Sequence, residues 1–297
     1  MSEPIIAITG ANGFIGRGLV YHFHSLGWQV RAFVHSPPMT RIEGVDYVPY
    51  ALERALEERA FQGAQHLVHC AHLVRDRRKD SEVINLNGTQ ALIELCRRSQ
   101  IRLAFLSSFS AHAQARSEYG RVKLRIEGLL DPARDLILRP GLVLGPGGLC
   151  GNIVSVISRR GIVPLVGGGQ QPLQTVALED LCKVVSKGLQ DRMQGAYYIA
   201  HPDPITLRGL IELIGEFCGH RPRMFPVPLG PTFLLSRLAE FMGLKLPVSS
   251  DSILGAKHLR VVDTRPDLEA FDVRLQPCRE VLAAFVPQLC ATNFPPP

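Results

Sequence analysis

Short apolar runs alternate with amphipathic runs along the first half of the chain. Residues 4–8 form an apolar run typical of a buried parallel strand. The segment after them places apolar residues at helical spacing on one face: Leu19, Val20, Phe23 and Leu26. Further strands are predicted at residues 29–35, 45–48, 67–71, 102–106 and 135–147, and helices at 52–61, from 84 onward and around 117–130. This alternation predicts an α/β fold with a doubly wound parallel sheet.

The second half of the chain combines helical periodicity with connectors rich in turn residues. Residues 205–219 and 232–246 have the spacing of amphipathic helices. Residues 164–169 are predicted to form a turn-rich loop, 225–228 a connector and 293–297 a disordered end. This half is therefore predicted to form a smaller, mainly helical C-terminal lobe.

Composition indicates a globular protein, because 46% of the 297 residues are hydrophobic and 20% are charged. The net charge of +6 raises the question of a nucleic-acid partner. However, the basic residues are scattered, apart from residues 75–80, where two aspartates dilute the positive run. That run is predicted to be a solvated loop rather than a phosphate clamp, so no nucleic-acid partner is expected.

The seven cysteines are far apart and contain no C-x-x-C pair, which predicts neither a disulfide framework nor a zinc site. A reducing, cytoplasmic location fits this pattern. The first strand begins near residue 4, which leaves no room for a signal peptide, and no apolar stretch reaches the roughly eighteen residues of a membrane span. We therefore expect no membrane partner.

Three histidines, His66, His69 and His72, recur every third residue. On a strand, residues three apart point to opposite faces of the sheet, so the three rings cannot converge on one ion. No metal site is expected from them.

Three glycines lie where the first strand gives way to the first helix. Gly10 permits a sharp turn, Gly13 lets the backbone approach a pyrophosphate, and Gly16 lets the helix pack closely. Free N–H groups at the helix start then face the negative charge of a ligand. A glycine-rich turn without a ligand is the alternative, and the strand before it and helix after it argue against that alternative. Three residues between the glycines are expected to contact the same ligand: Asn12, Phe14 and Ile15.

The string TGANGFIG, with its G-x-x-G-x-x-G spacing, closely resembles the cofactor motif of the extended and atypical short-chain dehydrogenase/reductases. That superfamily includes nucleotide-sugar epimerases and dehydratases. The resemblance implies a Rossmann-type NAD(P)-binding domain over residues 1–150, to which residues 175–200 return. It also implies a substrate-binding lobe formed by residues 151–174 and 201–297. The segment RPGLVLGP, at 139–146, resembles the family motif where the chain crosses between the two.

The end of the second strand bears on cofactor choice. An acid there would accept hydrogen bonds from the adenosine ribose of NAD, whereas a cation would favour the 2′-phosphate of NADP. No acid occurs from residue 28 to 40, and His35, Ser36 and Arg41 are the nearby partners. This pattern resembles the NADP type, so NADP is predicted, with NAD as the alternative. His35 as an ordinary strand-end residue is the other interpretation.

The family resemblance extends to the segments that border the nicotinamide. Residues 67–71 resemble V-x-H-x-A-A, and residues 84–89 resemble V-N-x-x-G-T, which makes Asn85 a structural and proton-relay asparagine. The alternative for Asn85 is a helix-capping residue. The resemblance also implies cofactor contacts from Cys70, Ala71, His72, Ser107 and Pro140.

The strand at 102–106 delivers Ser107 and Ser108 to the sheet edge where ligands bind. Tyr119 and Lys123 follow one turn apart on one helical face, with Ser117 as the expected cap. Because a phenol has a pKa near 10, lowering it by about three units takes roughly 4 kcal/mol of preferential stabilisation of the phenolate. A neighbouring ammonium and the positive nicotinamide could supply this.

The family resemblance then gives each residue of the triad a role. Tyr119 is the general acid/base, Lys123 its electrostatic partner and ribose ligand, and Ser108 the donor that holds the substrate oxygen. Three segments depart from the family pattern: 49–52 lacks the acid that contacts adenine, 109–113 replaces V-Y-G, and 170–174 lacks the arginine that grips a diphosphate.

These observations predict an NAD(P)-dependent oxidoreductase or epimerase/dehydratase. Its small-molecule substrate would be a sugar, including a nucleotide sugar, or another carbonyl or hydroxyl compound. A non-catalytic NADP(H)-binding regulator or assembly factor of the same fold is the alternative, because fold alone does not exclude it. A homodimer is left open.

Overall fold

The computed structural model describes residues 3–54, 57–73, 80–228 and 260–291. Its strands are β1 Ile5–Thr9, β2 Gln29–Val34, β3 Asp46–Pro49, β4 His66–His69, β5 Arg102–Leu106, β6 Leu136–Pro140, β7 Leu142–Leu144, β8 Ile162–Val166, β9 Pro172–Leu173, β10 Thr175–Ala177, β11 Gly195–Ile199, β12 Ile205–Thr206 and β13 Arg223–Val227. Its helices are α1 Phe14–Ser25, α2 Ser81–Arg98, α3 Glu118–Glu127, α4 Gly148–Arg160, α5 Leu178–Gln190, α6 Leu207–Phe217, α7 Arg265–Ala270 and α8 Cys278–Ala291.

The central sheet has seven strands in the order β11-β6-β5-β4-β1-β2-β3. β1 pairs in parallel with both β2 and β4, and the pairs β2–β3, β4–β5 and β5–β6 are parallel as well. Ile6, Ala7 and Ile8 of β1 are fully buried, as a central strand covered on both faces requires. The sheet confirms the predicted α/β class. The strand order reverses between β1 and β4, and the carboxyl ends of strands at such a point are where ligands bind.

Two compact units divide the chain. One comprises residues 1–111, 122–139 and 178–198, and the other comprises residues 112–121, 140–177 and 199–297. The first unit has a core in which Phe33 stacks on Phe61 at a centroid distance of 4.3 Å. The second contains the strand pairs β7–β10, β8–β13 and β9–β12, and its core is formed largely by α4, α6 and α8. The domain bounds near residues 150, 175 and 200 stay a prediction.

Several predicted elements differ in the structure. The helix expected over residues 52–61 is reduced in the described part to one 3-10 turn, Glu58–Phe61. The loop at 164–169 and the connector at 225–228 instead contribute to the parallel pair β8–β13. Pro164 and Pro226 lack an N–H group, but each strand of a two-stranded sheet has a free edge that tolerates this. Three predicted segments lie outside the described residues: the basic run before Asp80, the helix at 232–246 and the tail at 293–297.

The structure pairs Cys218 with Cys290 in a disulfide, 72 residues apart, with a Cα–Cα distance of 5.7 Å. This corrects the expectation that no cysteines pair. The sequence hides the pair because the packing of α6 against α8 brings the two residues together. Among the described residues, no helix has both the length and the apolar character that crossing a membrane demands.

Candidate functional site

The glycine turn after β1 is a compact backbone cradle. Gly10 has a φ of +67°, which side-chain-bearing residues rarely adopt. A Cβ atom on Gly10 would lie 2.7 Å from the Ala71 nitrogen, and one on Gly16 would lie 2.2 Å from the Gly10 carbonyl oxygen. The Gly13 N–H donates to that same oxygen at 2.9 Å. Larger residues at Gly10 or Gly16 would therefore fill the space that the turn needs.

The turn ends at the N-terminus of α1, where Gly13 is the capping residue. No side chain in the described ranges caps this helix, and its first turn holds no acid. Such a terminus presents backbone N–H groups and a partial positive charge to an anion. Asn12 donates from Nδ2 to the Ser36 carbonyl at 2.5 Å, which ties the turn to the chain after β2. Phe14 and Ile15 are half-buried beside it. The geometry therefore fits a dinucleotide pyrophosphate.

The segment after β2 carries exposed cationic and polar groups. His35 and Ser36 are both exposed. The Arg41 guanidinium lies 5.6 Å above the ring of Tyr47, whose hydroxyl accepts a hydrogen bond from the Ile42 N–H at 3.2 Å. Arg41 is thus held by a cation–π contact at the edge of the sheet.

His69, the last residue of β4, is buried, and His72, three residues later, is half-buried. His69 is fully buried, and its Nδ1 and Nε2 lie 2.6 Å from Thr9 Oγ1 and 2.9 Å from Thr89 Oγ1. Burial, with a smaller effect from the Lys123 charge, lowers the pKa of His69 to about 3. The same two causes lower the pKa of His72 to about 3. Both rings are therefore neutral at physiological pH. Over the described ranges, no group of His, Cys, Asp or Glu side chains is arranged to hold a metal ion.

Asn85 lies inside α2, so the capping interpretation is wrong. Asp80 caps this helix instead, accepting from the Val83 N–H at 3.2 Å, and α2 therefore begins at Ser81 rather than at residue 84. Asn85 Oδ1 accepts from the Leu73 N–H at 2.8 Å, and Nδ2 donates to the Leu73 carbonyl at 2.9 Å. This pair of bonds fastens the segment that follows β4, next to Cys70 and Ala71. Burial raises the pKa of the Cys70 thiol to about 12, so it stays protonated.

Ser107 and Ser108 follow β5 and use their hydroxyls differently. The Ser107 hydroxyl donates to the carboxylate of Glu127. Ser108 Oγ accepts from the Ser110 N–H at 3.1 Å. Pro140, the last residue of β6, is buried. The Ser107 hydroxyl therefore donates its proton to Glu127. Ser108 uses its oxygen as an acceptor in the bond with Ser110, and that bond does not use the Ser108 proton.

Helix α3 carries Tyr119 and Lys123 on one face. Ser117 Oγ accepts from the Gly120 N–H at 3.1 Å, which confirms Ser117 as the cap. Tyr119 is 37% exposed and Lys123 is 3% exposed. The Lys123 ammonium donates to the Leu106 carbonyl at 2.6 Å and lies 4.6 Å above the Phe105 ring. Burial lowers the pKa of Lys123 from 10.5 to about 8.

Glu127 and Arg139 were missed by the sequence analysis. Glu127 lies four residues after Lys123, on the same face of α3, and its side chain is 6% exposed. Arg139 donates to both of its carboxylate oxygens, from Nε at 3.0 and 3.2 Å and from Nη2 at 2.5 Å. The sequence contained a signal for Glu127, because it follows Lys123 by four residues just as Lys123 follows Tyr119.

The segment at 170–174, which lacks the family's arginine, ends in a buried glutamine. Gln174 Oε1 accepts from the Val262 N–H at 2.8 Å, and Nε2 donates to the Val262 carbonyl at 2.9 Å. Gln174 thus joins two parts of the second unit. Nearby, Arg208 Nε donates to the Gly168 carbonyl at 3.3 Å.

Comparison with known proteins gives three relevant similarities. The chain is 26% identical over 262 residues to the uncharacterized protein y4nG of Sinorhizobium fredii, covering 80% of this chain and 66% of that protein. It is 34% identical over 155 residues to a ceramide reductase of Caulobacter vibrioides, covering 49% of this chain and 48% of the reductase. The solved structure of MoeE5 in complex with UDP-glucuronic acid and NAD superposes with a TM-score of 0.76 at 20% identity, over 97% of this chain and 99% of that one.

The chain spans less than two thirds of the length of these two curated relatives. The similarity to MoeE5 concerns the fold. A family model matches residues 6–200, from β1 through β11, which is more than half of the chain. The chain therefore belongs to the NAD dependent epimerase/dehydratase family.

Proposed function

We propose that this protein is an NADP-dependent oxidoreductase, epimerase or dehydratase that acts on a hydroxyl or carbonyl group through Ser108, Tyr119 and Lys123. The observation that carries the proposal is the buried ammonium of Lys123, which lies against the Leu106 carbonyl at the carboxyl end of β5. Burying a cation costs free energy that an apolar residue would not. A perturbed, buried lysine at the ligand-binding edge of a sheet is typical of a catalytic site.

Each member of the triad has surroundings that suit its role. Tyr119 is partly exposed, so its hydroxyl can reach a ligand and exchange a proton with a substrate oxygen. Lys123, one turn away, places a positive charge on the same helical face and favours the phenolate. Ser108 accepts a hydrogen bond from Ser110, so its own proton can be donated to the substrate oxygen.

The residues around the glycine turn suit a nicotinamide dinucleotide. Gly10, Gly13 and Gly16 with the start of α1 would hold the pyrophosphate, and Asn12 would keep the turn against the end of β2. The bound nicotinamide would supply the hydride acceptor or donor. Asn85 would keep the segment after Cys70 in place beside it. We also propose the domain bounds and the cytoplasmic location given above.

We expect NADPH to bind at least tenfold more tightly than NADH, a difference of about 1.4 kcal/mol. The reason is that His35 and Arg41 stand where an acid would serve NAD. MoeE5 was solved with NAD, so the preference depends on residues of this chain. Fluorescence titration of both cofactors measures it. Arg41→Gln should weaken NADPH alone, whereas Arg98→Gln, an exposed arginine paired with Glu58, should change neither. Tenfold tighter NADH binding would contradict the preference.

We expect a sugar or other small carbonyl compound as substrate, with a UDP- or GDP-sugar slightly favoured. The ligand of MoeE5 supports a nucleotide sugar, whereas the ceramide reductase and the absence of the arginine before Gln174 support other carbonyl compounds. A thermal-shift screen with NADP+ present compares nucleotide sugars with plain aldehydes and ketones. A ligand at about 100 times its dissociation constant adds about 2.7 kcal/mol of stability. A flat response to every nucleotide sugar would remove that class.

A further inference from the structure

Five side chains of the first unit form a closed set of contacts around Ser108. We call it the Ser108 ring: Ser107, Glu127, Arg139, Tyr198 and Phe109. They come from the segment after β5, from α3, from β6 and from β11. Ser107 and Phe109 are the chain neighbours of Ser108, so the ring closes through the backbone of Ser108 itself.

One side of the ring is ionic. Ser107 donates its hydroxyl to Glu127, and Glu127 receives three hydrogen bonds from Arg139. These bonds fix the carboxylate against both β5 and β6. A bidentate arginine–carboxylate pair sets orientation as well as distance. The hydrogen bond to Glu127 raises the pKa of Arg139 above its ordinary value, so the guanidinium stays charged.

The other side of the Ser108 ring consists of aromatic contacts. The Arg139 guanidinium lies 4.9 Å above the ring of Tyr198. Tyr198 in turn meets Phe109 edge to face, with a centroid distance of 5.2 Å and an interplanar angle of 88°. Arg139 therefore links two groups: Glu127, which is bonded to Ser107, and Tyr198, which contacts Phe109.

We propose that the Ser108 ring positions Ser108, and that Glu127, Arg139 and Tyr198 are positioning residues for the reaction. This inference rests on the proposed function. A buried ion pair adds little net stability compared with apolar residues of the same size, so stability alone does not account for this one. Contacts that hold both neighbours of Ser108 restrict the movement of its backbone, and the hydrogen bond from the Ser110 N–H orients the hydroxyl. Orientation of this kind is worth large rate factors.

Tyr198→Leu is the main test, because it removes the two aromatic contacts of the Ser108 ring and leaves the ion pair of Glu127 and Arg139 intact. We expect kcat to fall about tenfold or more, since displacing a catalytic group by about 1 Å costs about a hundredfold. KM and the dissociation constant of NADPH should change less than twofold. Tyr198→Phe keeps the aromatic contacts and removes only the hydroxyl, which hydrogen-bonds with Arg139, so it should restore most of kcat. Glu127→Gln should lower kcat further, whereas Arg125→Gln, on the exposed face of α3 and paired with Glu82, should not.

Amide hydrogen exchange in the NADP+ complex tests the same inference without a substrate. Exchange in the peptide that contains Ser108 and Ser110 should rise at least tenfold in Tyr198→Leu, and exchange in α1 should not change. Unchanged exchange in Tyr198→Leu and Glu127→Gln would overturn the inference, as would faster exchange with wild-type kcat. Tyr119→Phe, assayed alongside, separates the two proposals: if it stays active, the proposed function fails, and if it alone is inactive, only the positioning role fails.

Discussion

Turnover is expected to fall at least a hundredfold when Tyr119 is replaced by phenylalanine, with cofactor affinity unchanged within twofold. The proposed proton transfer between the phenol and a substrate oxygen contributes about 10²- to 10⁴-fold to such reactions. Phenylalanine keeps the ring and removes only the hydroxyl. Because Tyr119 is 37% exposed, the substitution should cost little stability. Steady-state kinetics on the substrate found by the thermal-shift screen, with NADPH titration by fluorescence, measures both quantities.

The matched control is Tyr21→Phe. Tyr21 lies on α1, is 46% exposed and has its ring beneath the Arg17 guanidinium at 5.7 Å. It takes no part in the proposed chemistry, so its variant should keep wild-type turnover. Wild-type turnover in Tyr119→Phe would reject the proposed mechanism. It would favour the non-catalytic NADP(H)-binding regulator, which has no use for an activated tyrosine.

The buried strands of the sheet could be predicted from sequence because each is a short apolar run between turn residues. The segment at 52–61 misled the prediction, since its residues favour a helix locally. In the structure its two ends are held by tertiary contacts. The Leu52 carbonyl lies 2.6 Å from the place that a Cβ atom on Gly88 would occupy, and Phe61 stacks on Phe33. Packing against α2 and β2 therefore outweighs the local helix preference.

The candidate site was predictable where its residues follow one another along the chain. The glycine turn and the pair Tyr119 and Lys123 each lie within one local element. The Ser108 ring was not predictable, because it joins side chains as far apart as Phe109 and Tyr198 and depends on the order of strands in the sheet. Asn85 shows the same limit: its position in the sequence suits a cap, and only the fold shows that it binds the backbone of Leu73.

Replacing Lys123 with methionine is expected to weaken NADPH binding at least tenfold and to change how stability depends on pH. In the folded apo protein the pKa of Lys123 is about 8, compared with 10.5 as its ordinary value. Between these two pH values the unfolded chain binds more protons at this position than the folded chain does. The contribution of Lys123 to the free energy of unfolding therefore increases as the pH rises across this window. A shift of this size corresponds to about 3 kcal/mol at its full extent.

Buried thiols have the opposite effect on the free energy of unfolding, which they lower as the pH rises. Burial raises the pKa of each of four cysteines to about 12: Cys70, Cys96, Cys150 and Cys182. These thiols ionise more readily in the unfolded chain, so they remove stability as the pH rises above about 9. The total stability of the wild-type protein is therefore not expected to rise. The effect of Lys123 has to be read from the difference between wild type and Lys123→Met, in which the cysteine contributions largely cancel.

Urea unfolding of the apo proteins at pH 7, 8, 9 and 10 measures that difference. The free energy of unfolding of wild type minus that of Lys123→Met should become more positive at each step above pH 8. Lys187→Met is the control, since Lys187 is 37% exposed and pairs with Asp191 on the surface, and its difference from wild type should stay nearly constant. A constant difference for Lys123→Met from pH 7 to 10 would mean that the ammonium is not destabilised by burial. The electrostatic role proposed for it beside Tyr119 would then lose its support.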